Sequence, residues 1–115
     1  RLTTALAERY PEARFVGIEK RLLPYLLARL HTRSLPQVQI LRADFYNHPY
    51  REATHLFTYL YSGAMNALYP KLLKELPSGA VLLSLDFSFI EKEPEKTLEI
   101  NAPDSRGRRL LRYVF

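Results

Sequence analysis

The chain has 115 residues, of which 47% are hydrophobic and 25% charged. That is enough for one globular domain with a real core and too few for two. It has no cysteine, which excludes disulfides and thiolate metal sites. Lys and Arg outnumber Asp and Glu by 17 to 12, for a net charge of +5 and a pI near 9.6, which favours acidic surfaces or polyanions as partners. No apolar run approaches the roughly 20 residues that a membrane span needs. No signal-peptide pattern is present, and a cytoplasmic location is expected.

Leu2, Ala5 and Leu6 fall on one helical face, and Pro11 ends that helix. A first strand is expected from Arg14 to Glu19. Leu22, Leu23, Leu26, Leu27 and Leu30 recur at three- and four-residue spacing, the pattern of a buried helical stripe. Pro24 is tolerated in the first turn of that helix. After the break at Ser34-Leu35-Pro36, a second strand runs through Val38 and Ile40 to about Arg42-Ala43-Asp44. Thr54 to Tyr61, rich in β-branched and aromatic residues, reads as a third strand broken by Ser62-Gly63.

Leu68, Leu72, Leu73 and Leu76 make a second helical stripe with Pro70 near its start or at a kink, stopped by Pro77-Ser78-Gly79. Ala80 to Phe89 is a near-continuous apolar run suited to a central strand. Lys96 to Ile100 and Arg108 to Phe115 flank a turn at Pro103 to Gly107 and form a hairpin. The fold class is therefore α/β: a doubly wound, mostly parallel sheet with a C-terminal antiparallel hairpin. No repeat or linker divides the chain.

Two carboxylates stand where this architecture places ligands. Phe15-Val16-Gly17-Ile18-Glu19 and the second strand each end in an acidic residue, Glu19 and Asp44. In open α/β sheets ligands sit at the carboxyl ends of strands, and an acidic side chain there takes the hydroxyls of a ribose. A right-handed crossover puts the two strand ends side by side. A diol at one end of a ligand and an exocyclic amine at the other would suit both acceptors. The alternatives are a solvent-facing Glu and a turn-forming Asp. His31, His48 and His55 show no close metal-ligand spacing and are expected at the surface or a strand edge. The cluster Arg106-Gly107-Arg108-Arg109 reads as a solvated turn.

The segments VGIEK, ILRADFYN, TYLYSGAMNALYPKLLKEL and VLLSLDFSF, with Arg1-Leu2-Thr3 opening the first helix, resemble the class I S-adenosylmethionine-dependent methyltransferases. Within that class the chain is most similar to small protein-lysine methyltransferases, through its TYLY and SLDF segments. The resemblance implies S-adenosylmethionine as cofactor and a protein lysine amine as acceptor. It gives Glu19 the ribose hydroxyls, with Ile18 and Lys20 beside it and Lys20 on the adenosine rim. It gives Asp44 the adenine amino group, with Ala43 and Phe45 near the ring. Tyr59, Leu60 and Tyr61 fall around the methyl group and the nucleophile, with Tyr59 and Tyr61 as the residues expected to line the acceptor channel. Because strand side chains alternate, the two tyrosines face one side and Leu60 the other; the alternative is that both are core or surface strand residues. Asp86 either faces the site or bonds backbone at its strand end.

One part of the family pattern is absent. The four glycines, Gly17, Gly63, Gly79 and Gly107, form no G-x-G-x-G loop, and the strand before that loop is missing too. Arg1 matches the position just after the loop. The expectation is a C-terminal part of a single methyltransferase-like domain, whose missing strand would lie between the first and third strands here. Alone, this part is expected to bind cofactor poorly, to be inactive and not to fold stably as a monomer. Two other functions stay open. Net charge and the pair Phe45-Tyr46 would suit a nucleic-acid methyltransferase, although Tyr-Leu-Tyr-Ser stands where such enzymes carry Asn-Pro-Pro-aromatic. A degenerate fold acting as a basic binding module is the other.

Overall fold

The computed structural model describes residues 7–100 and 108–115, and the chain divides into two compact units, Arg1–His48 and Pro49–Phe115. The helical face of Leu2, Ala5 and Leu6, and the turn at Pro103 to Gly107, lie outside the described residues. Helical backbone at residues 7–9 ends before Pro11, as its fixed ring and the restriction on its predecessor require.

The first unit is a strand-helix-strand: β1 (Phe15–Glu19), α1 (Leu22–Thr32) and β2 (Val38–Arg42). The strands are parallel and in register from Phe15↔Val38 to Glu19↔Arg42. Pro24 is the third residue of α1, where its missing N–H has no partner to lose. The leucine stripe expected to be buried is not. Leu22, Leu23, Leu26, Leu27 and Leu30 are between 46% and 67% exposed. The least exposed positions of α1 are instead Tyr25, Ala28 and Thr32. Thr32 also returns its hydroxyl to the Ala28 carbonyl at 2.7 Å. A two-stranded sheet presents one narrow face, and a helix lying on it buries one narrow stripe.

The second unit holds β3 (His55–Thr58), α2 (Ser62–Glu75), β4 (Val81–Leu85), β5 (Lys96–Ile100) and β6 (Arg108–Val114). Its sheet runs in the order β3-β4-β6-β5. The β3–β4 pair is parallel, and β6 is antiparallel to both β4 and β5. The central position expected for β4 is observed. Nearly all the fully buried side chains of the described chain are here: Met65, Leu68, Leu72, Leu82, Ser84, Leu111 and Tyr113. Phe89 packs edge-on to Tyr113 at 4.8 Å and tilted on Tyr69 at 4.8 Å. Tyr113 accepts the Phe89 N–H at 3.1 Å, and burial pushes its phenol above the ordinary tyrosine value.

Several strand limits differ from expectation. β1 begins at Phe15, one residue after Arg14. β4 stops at Leu85, well short of Phe89. β3 stops at Thr58, so Tyr59 and Tyr61 are not strand residues, and Ser62-Gly63 opens α2 where a simple break was expected. One cause links the last two. Thr58 pairs with Ser84, and one residue beyond Leu85 the chain turns at Asp86, which has a left-handed φ of 69°. Beyond that turn β4 offers Tyr59 no ladder. Leu73, counted in the second stripe, is exposed. Among the described residues, no helix is long and apolar enough to cross a membrane.

Candidate functional site

Glu19 and Asp44 stand at the same end of the first unit's sheet. Glu19 is the last residue of β1, and the Ala43 N–H donates to the Glu19 carbonyl at 3.2 Å, which carries the pairing one residue beyond β2. Asp44 follows directly. This is the side-by-side arrangement of strand ends that a parallel strand-helix-strand produces. Both carboxylates already have partners. Glu19 Oε1 accepts the Arg21 N–H at 3.3 Å, which helps the chain turn into α1. Asp44 Oδ1 accepts the Tyr46 N–H at 3.0 Å, so the turn-forming role weighed for it is real.

Lys20 lies 3.6 Å from Asp44 Oδ2, with its own side chain 76% exposed. An exposed pair of this kind is worth about 0–1 kcal/mol, so a ligand donor displaces it at little cost. Phe45 and Tyr46 lie with ring centroids 4.3 Å apart, tilted by 40°. Ile18, Ala43 and Phe45 are half-buried around the two carboxylates. A concavity of about 900 Å³ in the same unit lies elsewhere: it is lined by Arg14, Phe15, Pro36, Gln37 and others, and includes neither Glu19 nor Asp44.

Tyr59 and Tyr61 belong to the second unit, in the segment joining β3 to α2. Tyr61 is the residue before α2, and its carbonyl accepts the Met65 N–H at 3.0 Å. Its ring is 70% exposed. Tyr59 is held. Arg108 Nη2 donates to its hydroxyl at 2.6 Å, the guanidinium lies 5.1 Å from its ring centroid, and Phe87 stacks on it at 6.4 Å. An acceptor ammonium lying over the Tyr59 ring would therefore compete with Arg108 for the same contact.

Asp86, left between two readings by the sequence, bonds backbone: its Oδ1 accepts the Arg109 N–H at 3.0 Å. Its Oδ2 pairs with Arg108 Nε at 3.3 Å. Arg108 is the contact that sequence reasoning missed, because it was counted within a solvated turn. The signal was present in the hairpin itself, since an antiparallel β6 must start beside the end of β4. Among the described residues no group of His, Asp and Glu is arranged to hold a metal ion.

Comparison with known proteins bears on most of the chain. A family model described as the ANTKMT methyltransferase domain matches residues 1–96. A search of curated proteins returned no match. Among solved structures, the chain is similar to an RNA methyltransferase from Salinibacter ruber, determined in complex with S-adenosyl-L-homocysteine. The identity is 26%, the match covers 94% of this chain and 69% of that one, and the TM-score is 0.84. The α/β fold is thus that of a methyltransferase, and the chain belongs to the ANTKMT methyltransferase domain family, within the class I S-adenosylmethionine-dependent enzymes.

Proposed function

We propose that this domain transfers a methyl group from S-adenosylmethionine to a protein lysine amine, with Glu19 and Asp44 as its cofactor carboxylates. The observation that carries the proposal is the adjacency of the two acidic strand ends, tied by the Ala43 N–H on the Glu19 carbonyl. The set of acceptors fits the cofactor. One carboxylate suits a ribose diol, and the other suits an adenine amino group. Ile18, Ala43 and Phe45 supply apolar contact, and Lys20 the rim.

When bound, the cofactor supplies an electrophilic methyl on a sulfonium, displaced in line by the nucleophile. The protein then has two tasks, position and desolvation. A lysine amine must first lose its proton to solvent, and an apolar, aromatic channel lowers its pKa by penalising the charged form. Tyr59 and Tyr61 are the proposed lining of that channel, with Tyr59 acting through its hydroxyl.

The same proposal takes the chain as the C-terminal part of its domain, with the glycine-rich loop supplied upstream. A second reading, methylation of RNA, is favoured by the similarity to the Salinibacter RNA methyltransferase and by the net charge of +5. The experiment separates these. Calorimetric titration with S-adenosylhomocysteine of the domain and its Glu19→Ala variant is expected to give saturable binding that the variant weakens. Label transferred from methyl-tritiated cofactor into cell extract is expected to resist nuclease and yield to protease. Binding unaffected by Glu19→Ala overturns the cofactor assignment. Nuclease-sensitive label overturns the lysine acceptor.

A further inference from the structure

We infer that Asp86 and Arg108 form a bracket that positions Tyr59, fixing its hydroxyl and occupying its ring. The inference rests on the acceptor-side role proposed for Tyr59.

Three strand ends meet here: the carboxyl ends of β3 and β4 and the start of β6. The register of β4 against β6, with Leu85 opposite Leu110, brings Arg108 and Arg109 beside Asp86. Asp86 is the centre of a γ-turn, with the Phe87 N–H on the Leu85 carbonyl at 2.9 Å and a φ of 69°. A turn of this hand is rare and strained. Asp tolerates such a φ better than most residues, but the conformation persists only where neighbours hold it.

Here they do. The Asp86 N–H donates to the Arg109 carbonyl at 2.8 Å, and the Arg109 N–H returns to Oδ1 at 3.0 Å. Arg109 Nη2 also reaches the Asp86 carbonyl at 3.4 Å. Inside the turn, the Ser84 hydroxyl donates to the Phe87 carbonyl at 2.5 Å and sets the course of the chain into Phe87.

Arg108 then spans two partners with two different nitrogens, Nε on Asp86 and Nη2 on the Tyr59 hydroxyl. A planar guanidinium held at two points has one orientation. Lysine, a single point donor, cannot reproduce it. Because Tyr59 accepts from Arg108, its own O–H proton is left for a second partner. The turn also delivers Phe87, whose ring stacks on Tyr59. Strain at Asp86 is thus coupled to the placement of an exposed tyrosine.

The test reads Tyr59 directly. The chain, which has eight tyrosines, is labelled with 3-fluorotyrosine, and the Tyr59 fluorine resonance is assigned by its loss in Tyr59→Phe. Arg108→Gln and Asp86→Asn are each expected to move that resonance toward its position in the urea-denatured chain. The other resonances and the thermal midpoint should hold. Arg108→Lys is expected not to restore it. An unmoved Tyr59 resonance in Arg108→Gln overturns the inference.

Kinetics of the complete domain with poly-L-lysine as acceptor give the second arm. Arg108→Gln should lower kcat to the level of Tyr59→Phe without changing KM for the cofactor, and the double variant should be no slower. Losses that multiply in the double variant overturn the bracket. Full kcat in Tyr59→Phe would instead overturn the role proposed for Tyr59, while the fluorine resonance still decides whether Arg108 holds it.

Discussion

The two helices look alike in sequence and differ in what they bury. α1 and α2 each carry leucines at three- and four-residue spacing. In α2 part of the stripe is realised: Leu68 and Leu72 are buried together with Ala64, Met65 and Tyr69, while Leu73 is exposed and Leu76 lies just past the helix. In α1 the leucines are exposed, and the small or polar Ala28 and Thr32, with Tyr25, are its least exposed positions. Periodicity states that a helix has an apolar face. It does not say whether a sheet wide enough to cover that face is at hand. Each buried leucine of α2 contributes about 1.5–3 kcal/mol relative to exposure; those of α1 contribute a fraction of that.

The contrast is breakable by substitution. The largest effect is expected from Leu72→Ala, at about 2–5 kcal/mol lost in urea unfolding, because a fully buried side chain leaves a cavity. Equal losses from Leu72→Ala and Leu26→Ala would erase the distinction between the helices.

The next effect concerns ligand and not core. Glu19→Ala should weaken S-adenosylhomocysteine binding by about 10- to 100-fold, the roughly 1.5–3 kcal/mol of hydrogen bonds to a charged group. Tyr59→Phe should leave that affinity unchanged in the same calorimeter. A Tyr59→Phe variant that binds as poorly as Glu19→Ala would undo the assignment of cofactor and acceptor roles to different units.

A smaller effect sharpens the comparison of helix ends. Glu75, at the end of α2, accepts from Lys71 Nζ at 2.6 Å and from the Tyr50 N–H at 2.9 Å. Those two partners hold its carboxyl below the ordinary value, with the Lys71 contact the larger cause. A lowered folded-state pKa gives stability that is present above the unfolded value and lost as pH falls through the folded one. Glu75→Gln is therefore expected to lower Tm at neutral pH, with the gap to the parent closing below about pH 4. A gap that widens on acidification would contradict the direction. Smallest of all, Leu26→Ala should shift stability by no more than about 0.5 kcal/mol, and Lys20→Ala should change cofactor affinity by less than about fivefold.

Much of the fold was legible because its signals are local. Proline and glycine punctuation marked the ends of both helices, apolar runs marked the first four strands, and the turn at Pro103 to Gly107 marked the last two as a hairpin. Glu19 and Asp44 were legible because parallel strands joined by a helix bring like ends together. What was not legible depends on partners. The extent of β3 is set by where β4 turns away, and that turn hangs on a left-handed Asp86 held by Arg108 and Arg109. No periodicity in Thr54 to Tyr61 records a residue twenty-odd positions later. For the same reason Arg108 read as a turn charge, when its contacts are with Asp86 and Tyr59.

The strand order β3-β4-β6-β5 also has a consequence in time. A ribosome delivers the strands in numerical order, so β3 and β4 can join as soon as both have emerged. β5 then arrives with no neighbour among the described strands, since its pairing is with β6 alone. Its exposed Lys96, Thr97, Leu98 and Glu99 must stay soluble until Arg108–Val114 is made and threads between it and β4. The charged Lys96 and Glu99 of that strand discourage another nascent chain from occupying the vacant place first.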